Sequence, residues 1–367
     1  MQNRFVRKGF VLGVIVLFVG SSIVPSMGGT IIERHGSLDN KTFYMGFNPF
    51  GNILYVGGFG EGNYTKIQDA LDNATDGDIV FVFDNSSPYY ENLVVNKSIN
   101  LIGEDKNTTV IDGSMTTDVV EITSDWVNLT GFLIINGTNG MQILSNHNTI
   151  NDNIIIDNRF YGVILVYTCY NVIIGNNISS NGGGIGLWET NDTIVMENEI
   201  FCNIGSYICY GIYLYGSEYN NITNNNIDSS PCNIRLFYSN KNTIKQNIIS
   251  NGRDQGIQLH FSNNNIILRN IIAYTKYIGL QIEAKGNKVI QNNFIQNKKH
   301  ASFTLIMYIW EGINRNSWTN NYFDDWIGLE QPFFSKFPKI IKGIMTRGIK
   351  IPVFAFDWHP AKEPYDI

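Results

Sequence analysis

Gly256-Ile-Gln-Leu259, then Asn270 and Ile272, is followed at once by Gly279-Leu-Gln-Ile282, then Asn293 and Ile295, and this succession decides the fold. The same order opens at Gly162-Val-Ile-Leu165, Gly184-Ile-Gly-Leu187, Gly211-Ile-Tyr-Leu214 and Asn233-Ile-Arg-Leu236, and once more at Ser302-Phe-Thr-Leu305. The steps between starts are 22, 27, 22, 23, 23 and 23 residues. Fourteen residues after each start stands an asparagine: Asn176, Asn198, Asn225, Asn247, Asn270, Asn293 and Asn316. Two residues later the chain is large and apolar, at Ile178, Ile200, Ile227, Ile249, Ile272, Ile295 and Trp318. The apolar-x-apolar alternation has the period of a strand, and no unit holds the 3.6-residue pattern of a helix. A repeat of this length built from short strands is a solenoid whose coils bury their apolar faces on each other. The expected fold is therefore an all-β parallel β-helix. Its interior is the apolar column, and its corner asparagines satisfy one another in a ladder.

The chain has 367 residues, a net charge of −6 and only 16% charged residues, which excludes a partner held through nucleic-acid phosphates. Residues 1–29 read as a signal peptide or N-terminal anchor: Arg4, Arg7 and Lys8 precede an apolar run from Phe10 to Gly20 and a small-residue stretch. That places the protein outside the cell or on its surface, with membrane contact only through this segment if it is uncleaved. Residues 30–52 form a lead-in, residues 53–321 the β-helix with its N-terminal cap, and residues 322–367 a C-terminal capping tail. Rungs at Val119 and Gly140 bring the count to at least nine coils, a rod of about 45 Å. Four cysteines suit an oxidising exterior. Cys202–Cys209 and Cys209–Cys232 are the candidate disulfides, and spacing does not choose between them. Eleven Asn-x-Ser/Thr sequons run from Asn40 to Asn221; they are glycan acceptors where the host glycosylates, and an asparagine-rich chain also makes some by composition.

An open solenoid end must be covered. Ile67, Ala70, Leu71 and Ala74 share one helical face, and Thr65 with Gln68 has the spacing of a capping box, so a helix over 66–74 is the expected N-terminal cap. From here the sequence becomes specific: Tyr64-Thr-Lys-Ile-Gln-Asp-Ala-Leu71, Asp76-Gly-Asp-Ile-Val80, Tyr90-Glu-Asn-Leu-Val-Val95, Lys97-Ser-Ile-Asn-Leu-Ile-Gly-Glu104 and Val110-Ile-Asp-Gly113. These segments resemble the opening of secreted right-handed parallel β-helix repeat proteins. That group is related to the NosD-like periplasmic copper-accessory β-helix and to carbohydrate-binding and sugar-hydrolase β-helix modules. Pectin methylesterases open similarly. The resemblance spans roughly residues 53–320 and implies a right-handed single-stranded solenoid. Beyond Asn321 the composition turns aromatic and basic, and the closing Phe356-Asp-Trp-His-Pro-Ala-Lys-Glu-Pro-Tyr-Asp-Ile367 is similar to the tails of archaeal surface-exported β-helix proteins.

Function is expected on the outward positions of the first strand of each coil. One column reads Ile164, Gly186, Tyr213, Arg235, Gln258, Gln281, Thr304, and the other Val166, Trp188, Tyr215, Phe237, His260, Glu283, Ile306. The ligand-binding candidates are Trp188, Tyr213, Tyr215, Arg235, Phe237, Gln258, His260, Gln281 and Glu283, with a polysaccharide as partner: ring faces stack on sugars and planar polar groups take hydroxyls. The same columns suit a face that stacks on itself, or one that the aromatic tail covers. For catalysis the candidates are Arg235, His260 and Glu283, as carboxylate clamp, base and orienter of a polysaccharide lyase or C5-epimerase. A glycosidase pair is not visible, because these columns offer a single carboxylate. No cofactor is called for: pectate-lyase-like enzymes would bring calcium, but no aspartate cluster stacks to hold it. The copper that the NosD resemblance implies finds no clustered His, Met or Cys. A recognition or display protein, an enzyme on polysaccharide and a purely structural surface protein all stay open.

Overall fold

The computed structural model describes residues 51–201, 203, 210–306, 316–326, 338–347 and 349–367. The signal and lead-in assignments for residues 1–50 lie outside this range. Each coil of the solenoid makes three short strands, and each strand pairs in parallel with its counterpart one coil later. Three sheets result. Sheet I has 12 strands, from Ile53–Val56 to Ser317–Thr319; sheet II has 11, from Tyr89–Tyr90 to Tyr322–Phe323; sheet III has 12, from Leu93–Val95 to Ile349–Asp357. The fold is the expected right-handed parallel β-helix, with about two coils more than the repeat pattern predicts. The weakly patterned N-terminal segments are coils too: Ile53–Val56 already pairs with Ile79–Val82.

Register stacks like on like. Leu165, Leu187, Leu214, Leu236 and Leu259 form one interior column of sheet III, and Ile178, Ile200, Ile227, Ile249 and Ile272 form one of sheet II, all fully buried. The asparagine ladder also forms. Asn225 N donates to Asn247 Oδ1 at 2.9 Å, Asn247 N to Asn270 Oδ1 at 3.0 Å, and each Nδ2 donates onward as well. The last two units depart from the repeat count. Ser302 lies opposite Gln281, two places from the expected Gly279, and Phe303 lies opposite Ile282. The corner ladder passes through Asn292 and Asn321 instead of Asn293 and Asn316, and Phe294 and Phe323 continue the sheet II column where Ile295 and Trp318 were expected. Changed coil lengths are the cause: Ile267 to Val289 steps 22 residues while Leu259 to Ile282 steps 23, and the following coil steps 21 in sheet III, from Ile282 to Phe303, but 29 at the corner, from Asn292 to Asn321. Asn316 serves a second ladder running Asn220, Asn242, Asn265, Asn287, Asn316, which the count did not reveal.

The N-terminal helix α1 spans Ile67–Asn73 and buries Ile67, Ala70 and Leu71. The capping box is not made. Lys66 occupies the N-cap with no side-chain cap bond, and Glu91 from the next coil accepts Ile67 N at 2.8 Å and Gln68 N at 2.9 Å instead. At the other end the repeat runs two residues beyond Asn321, through Tyr322–Phe323 in sheet II. The end of the tail folds onto the last coils: Ala361 N donates to Asn321 O at 3.0 Å and Tyr365 N to Asn293 Oδ1 at 2.9 Å. Lys339–Arg347 adds to sheet III in parallel with Ala301–Ile306, and Ile349–Asp357 turns back antiparallel to it, so a hairpin closes the stack. Cys202 and Cys209 lie outside the described residues. Cys232 is buried opposite Tyr210, with Sγ 3.4 Å from Ile234 O.

Candidate functional site on the outer face of sheet III

From Tyr161–Val166 to Ile278–Glu283 the strands of sheet III are six residues long, against three in the strands that follow them in the other two sheets, so these coils present two outward positions each. Parallel register carries Trp188, Tyr215, Phe237, His260 and Glu283 into one column and Gly186, Tyr213, Arg235, Gln258 and Gln281 into its neighbour. All nine candidate residues therefore meet on one surface, as the spacing predicted. The column ends differ: Ser302 and Thr304, not Thr304 and Ile306, follow Gln281 and Glu283 because of the slip.

The rings stack on each other. Tyr215 and Phe237 centroids are 5.9 Å apart at 28°, and Phe237 and His260 are 5.2 Å apart at 11°. With faces occupied by their neighbours, these three rings offer mainly edges to a ligand. This corrects the expectation of sugar stacking along the whole column. Trp188, 38% exposed at the start of the pile, is tilted 39° from Tyr215 and meets Tyr213 edge-on. Tyr213 stacks on Tyr210 at 4.9 Å, and burial pushes its hydroxyl pKa up against the opposing pull of Arg235. Arg235 sits between the Tyr210 and Phe237 rings, 5.1 and 5.7 Å from their centroids, and donates from Nη1 to Tyr210 Oη at 2.5 Å. Its Nε has no protein partner.

His260 Nδ1 is 2.5 Å from Glu283 Oε2, and Glu283 Oε1 accepts from Gln281 Nε2 at 2.7 Å. Gln281 Oε1 in turn faces Gln255 Nε2 at 3.3 Å. A neutral imidazole held this way donates Nδ1–H to the carboxylate and turns its Nε2 lone pair away from it. The expected contact between His260 and Glu283 is thus present. Arg235 is adjacent, but its guanidinium is partly spent on Tyr210. A concavity of about 310 Å³ lies elsewhere on the same face, lined by Asn92, Val94, Thr116, Asp118, Glu121 and Thr138. Glu121 extends the Arg235 column toward the N-terminus through Gln142 and Ile164, so that column holds a carboxylate the repeat count missed. Five rungs separate Glu121 from Arg235, too far for joint chemistry.

A second polar group was not foreseen. His300, 8% exposed, places Nε2 2.8 Å from Asp324 Oδ1 and 3.2 Å from Asp325 Oδ1, and Lys339 pairs with Asp325. Burial lowers the His300 pKa, opposed by the two carboxylates. His300 gives no repeat signal because its partners Asp324 and Asp325 come from a distant segment, as does the Lys339 that pairs with Asp325.

Residues 71–230 and 202–327 match the family model of the periplasmic copper-binding protein (NosD). The chain belongs to the NosD family. A cell surface glycoprotein of Methanothermus fervidus is 32% identical over 208 residues, 51% of this chain, and the match spans a third of that relative's length. The NosD-family solenoid is similar in fold to XylC in complex with xylose (TM-score 0.59, 10% identity, 74% of this chain and 75% of that one). It is also similar to the Dettilon tailspike protein (0.54, 14%, 70% and 57%) and to the A-module of the Azotobacter vinelandii mannuronan C-5 epimerase AlgE4 (0.53, 15%, 73% and 94%). The copper in the family's description does not fit the donors seen here. Among the described residues, His300, Asp324 and Asp325 are the one group of close ligand atoms. It is rich in hard carboxylate oxygens, carries no thiolate or thioether, and one of its carboxylates, Asp325, is already paired with Lys339.

Proposed function

We propose that this NosD-family chain is displayed outside the cell and binds an extended polysaccharide across the outer face of sheet III. The observation that carries this reading is the in-register track from Trp188 to Glu283, which the described part of the tail leaves uncovered. Four rung steps of about 4.8 Å give it a length of about 19 Å. Trp188 supplies a ring face at one end, and Gln258, Gln281 and Glu283 supply amide and carboxylate groups for hydroxyls at the other. Support also comes from a relative named as a cell surface glycoprotein and from structural neighbours whose names include xylose and mannuronan. The test is a glycan array with the purified chain. Binding that falls at least tenfold, about 1.4 kcal/mol, in Trp188→Ala and in Gln258→Ala supports the reading, and binding indifferent to both rejects it.

The 2.5 Å His260–Glu283 contact favours a second reading, a lyase or C5-epimerase acting on a polyuronate. His260 Nε2 would take the proton alpha to the uronate carboxyl and Arg235 would hold that carboxyl. Ultraviolet absorbance of an unsaturated uronate, or a changed epimer ratio, that disappears in His260→Ala would establish it. Neither binding nor turnover would leave a self-stacked structural face.

A further inference from the structure

The sequons are distributed unevenly over the solenoid. Ten of the eleven lie among the described residues, none on a strand of sheet III, and none follows Asn221. Several are by-products of the coil itself. Asn177-Ile-Ser179 and Asn221-Ile-Thr223 are strands whose central isoleucine faces the core. There the hydroxyl that a transferase must read is buried: Ser179 is 6% and Thr223 5% exposed, and Thr109 and Thr193 are fully buried behind Asn107 and Asn191. Elsewhere the acceptor amide is engaged. Asn63 Nδ2 donates to Gly57 O, Asn73 Nδ2 to Asp69 O and Asn136 Nδ2 to Asp112 Oδ2. Asn85 uses its carbonyl on Gly58 N, and its sequon runs into Pro88. Asn128 lies within a sheet I strand paired on both sides.

Asn96 is different. It stands at the corner between Leu93–Val95 and Asn100–Gly103, is exposed, and among the described residues its side chain has no hydrogen-bond partner, while the partly exposed Ser98 supplies the hydroxyl, which donates to Asp125 O at 2.7 Å. We infer that Asn96 is the N-glycosylation acceptor of the folded chain, and that the outer face of sheet III is left free of glycan. The inference rests on the extracellular reading above. In the transfer, Asn96 Nδ2 bonds to the anomeric carbon of a polyprenyl-pyrophosphate-linked oligosaccharide. The anomeric C–O bond to the pyrophosphate breaks, the lipid pyrophosphate departs, and the displaced amide proton goes to solvent.

The test uses the purified, folded full-length chain with a single-subunit oligosaccharyltransferase and its lipid-linked donor, followed by mass measurement of proteolytic peptides. The glycan mass is expected on the Asn96 peptide, and it is lost both in Asn96→Gln and in Ser98→Ala, which keeps the asparagine. The Asn177 and Asn221 peptides gain it only when the chain is unfolded first. Bare Asn96 beside a modified acceptor peptide in the same tube, or Asn177 or Asn221 modified in the folded chain, overturns the assignment. Export is read separately, from protease access to the chain on intact cells, so that its failure is distinguishable from failure of site selection.

Discussion

Asn247 shows how much one side chain does in this architecture. It is fully buried. Its Nδ2 reaches Ile222 O at 2.9 Å, Lys245 O at 3.1 Å and Asn270 Oδ1 at 3.0 Å, while its Oδ1 accepts Asn225 N and Nδ2. The residue before it, Gln246, has φ of +55°, so the corner is held in a left-handed conformation costing about 1 kcal/mol that the ladder offsets. Asn247→Ala strands at least two buried donors and an acceptor, a loss of roughly 3 kcal/mol or more. Because a solenoid opens locally, hydrogen exchange at the Asn225 amide is the sensitive readout, expected to quicken about a hundredfold. An Asn251→Ala control, at an exposed position whose amide bonds only Asp228, should change little, within about 1 kcal/mol. Equal exchange in the two variants would show that the ladder adds no stability. The first ladder was legible in sequence since asparagine recurs at a fixed offset. The second was obscured by Thr193, which interrupts its run between Asn171 and Asn220, and Asn292 was hidden by its neighbour Asn293.

At the scale of elements, both caps are tied to the solenoid by charged groups that no repeat predicts. Glu91 caps α1 across 24 residues of sequence, whereas the apparent box at Thr65 and Gln68 is unused. Gln68 is occupied with Val94, accepting its N–H at 2.9 Å. Glu91→Ala should destabilise the N-terminal coil by about 1–2 kcal/mol, read as earlier proteolysis before Asp78, and Gln68→Ala should not reproduce the loss of helix. The C-terminal hairpin is anchored through His300, Asp324, Asp325 and Lys339. With Nδ1 3.3 Å from Asn297 Nδ2, His300 is set up as the neutral tautomer that donates from Nε2. Its folded pKa is lowered, so the unfolded chain binds the proton first as pH falls below about 6.5. The stability it contributes is complete above that value and drains away as pH falls through the folded pKa. The hairpin should therefore melt more readily as pH falls below about 6.5, and His300→Gln should flatten that slope. A slope unchanged in the variant would assign it to Asp324 and Asp325 instead. Periodicity made the strands, the interior columns and the outward track readable, since each rests on like residues at like offsets. Caps are single events assembled from distant segments, and they left no such trace.

For the whole molecule the governing problem is that a parallel stack has two open ends, and the C-terminal end is closed by reversing direction. Ile349–Asp357 is antiparallel to Lys339–Arg347, and Asp357, fully buried, receives the last ladder rung: Asn321 N and Nδ2 both donate to Oδ2 at 2.8 Å. A carboxylate only accepts, so it satisfies the terminal donors without asking for another rung. Gly343 lets the hairpin seat itself, since a Cβ there would come within 2.6 Å of the Phe303 ring. Gly343→Val should therefore lift the hairpin. It would free the edge of Ala301–Ile306 and the donors of Asn321, which together form a template for a further parallel coil. The natural occupant of that template is another copy of the chain. Light scattering should show Gly343→Val and a chain truncated before Lys339 both growing into larger species with concentration, relative to the full chain. Asp357→Ala, which leaves the hairpin backbone pairing intact, should shift less. If the truncated chain scatters no more than the full one, neither the hairpin nor the Tyr365 segment removed with it, whose backbone brackets Asn293, keeps the stack from extending.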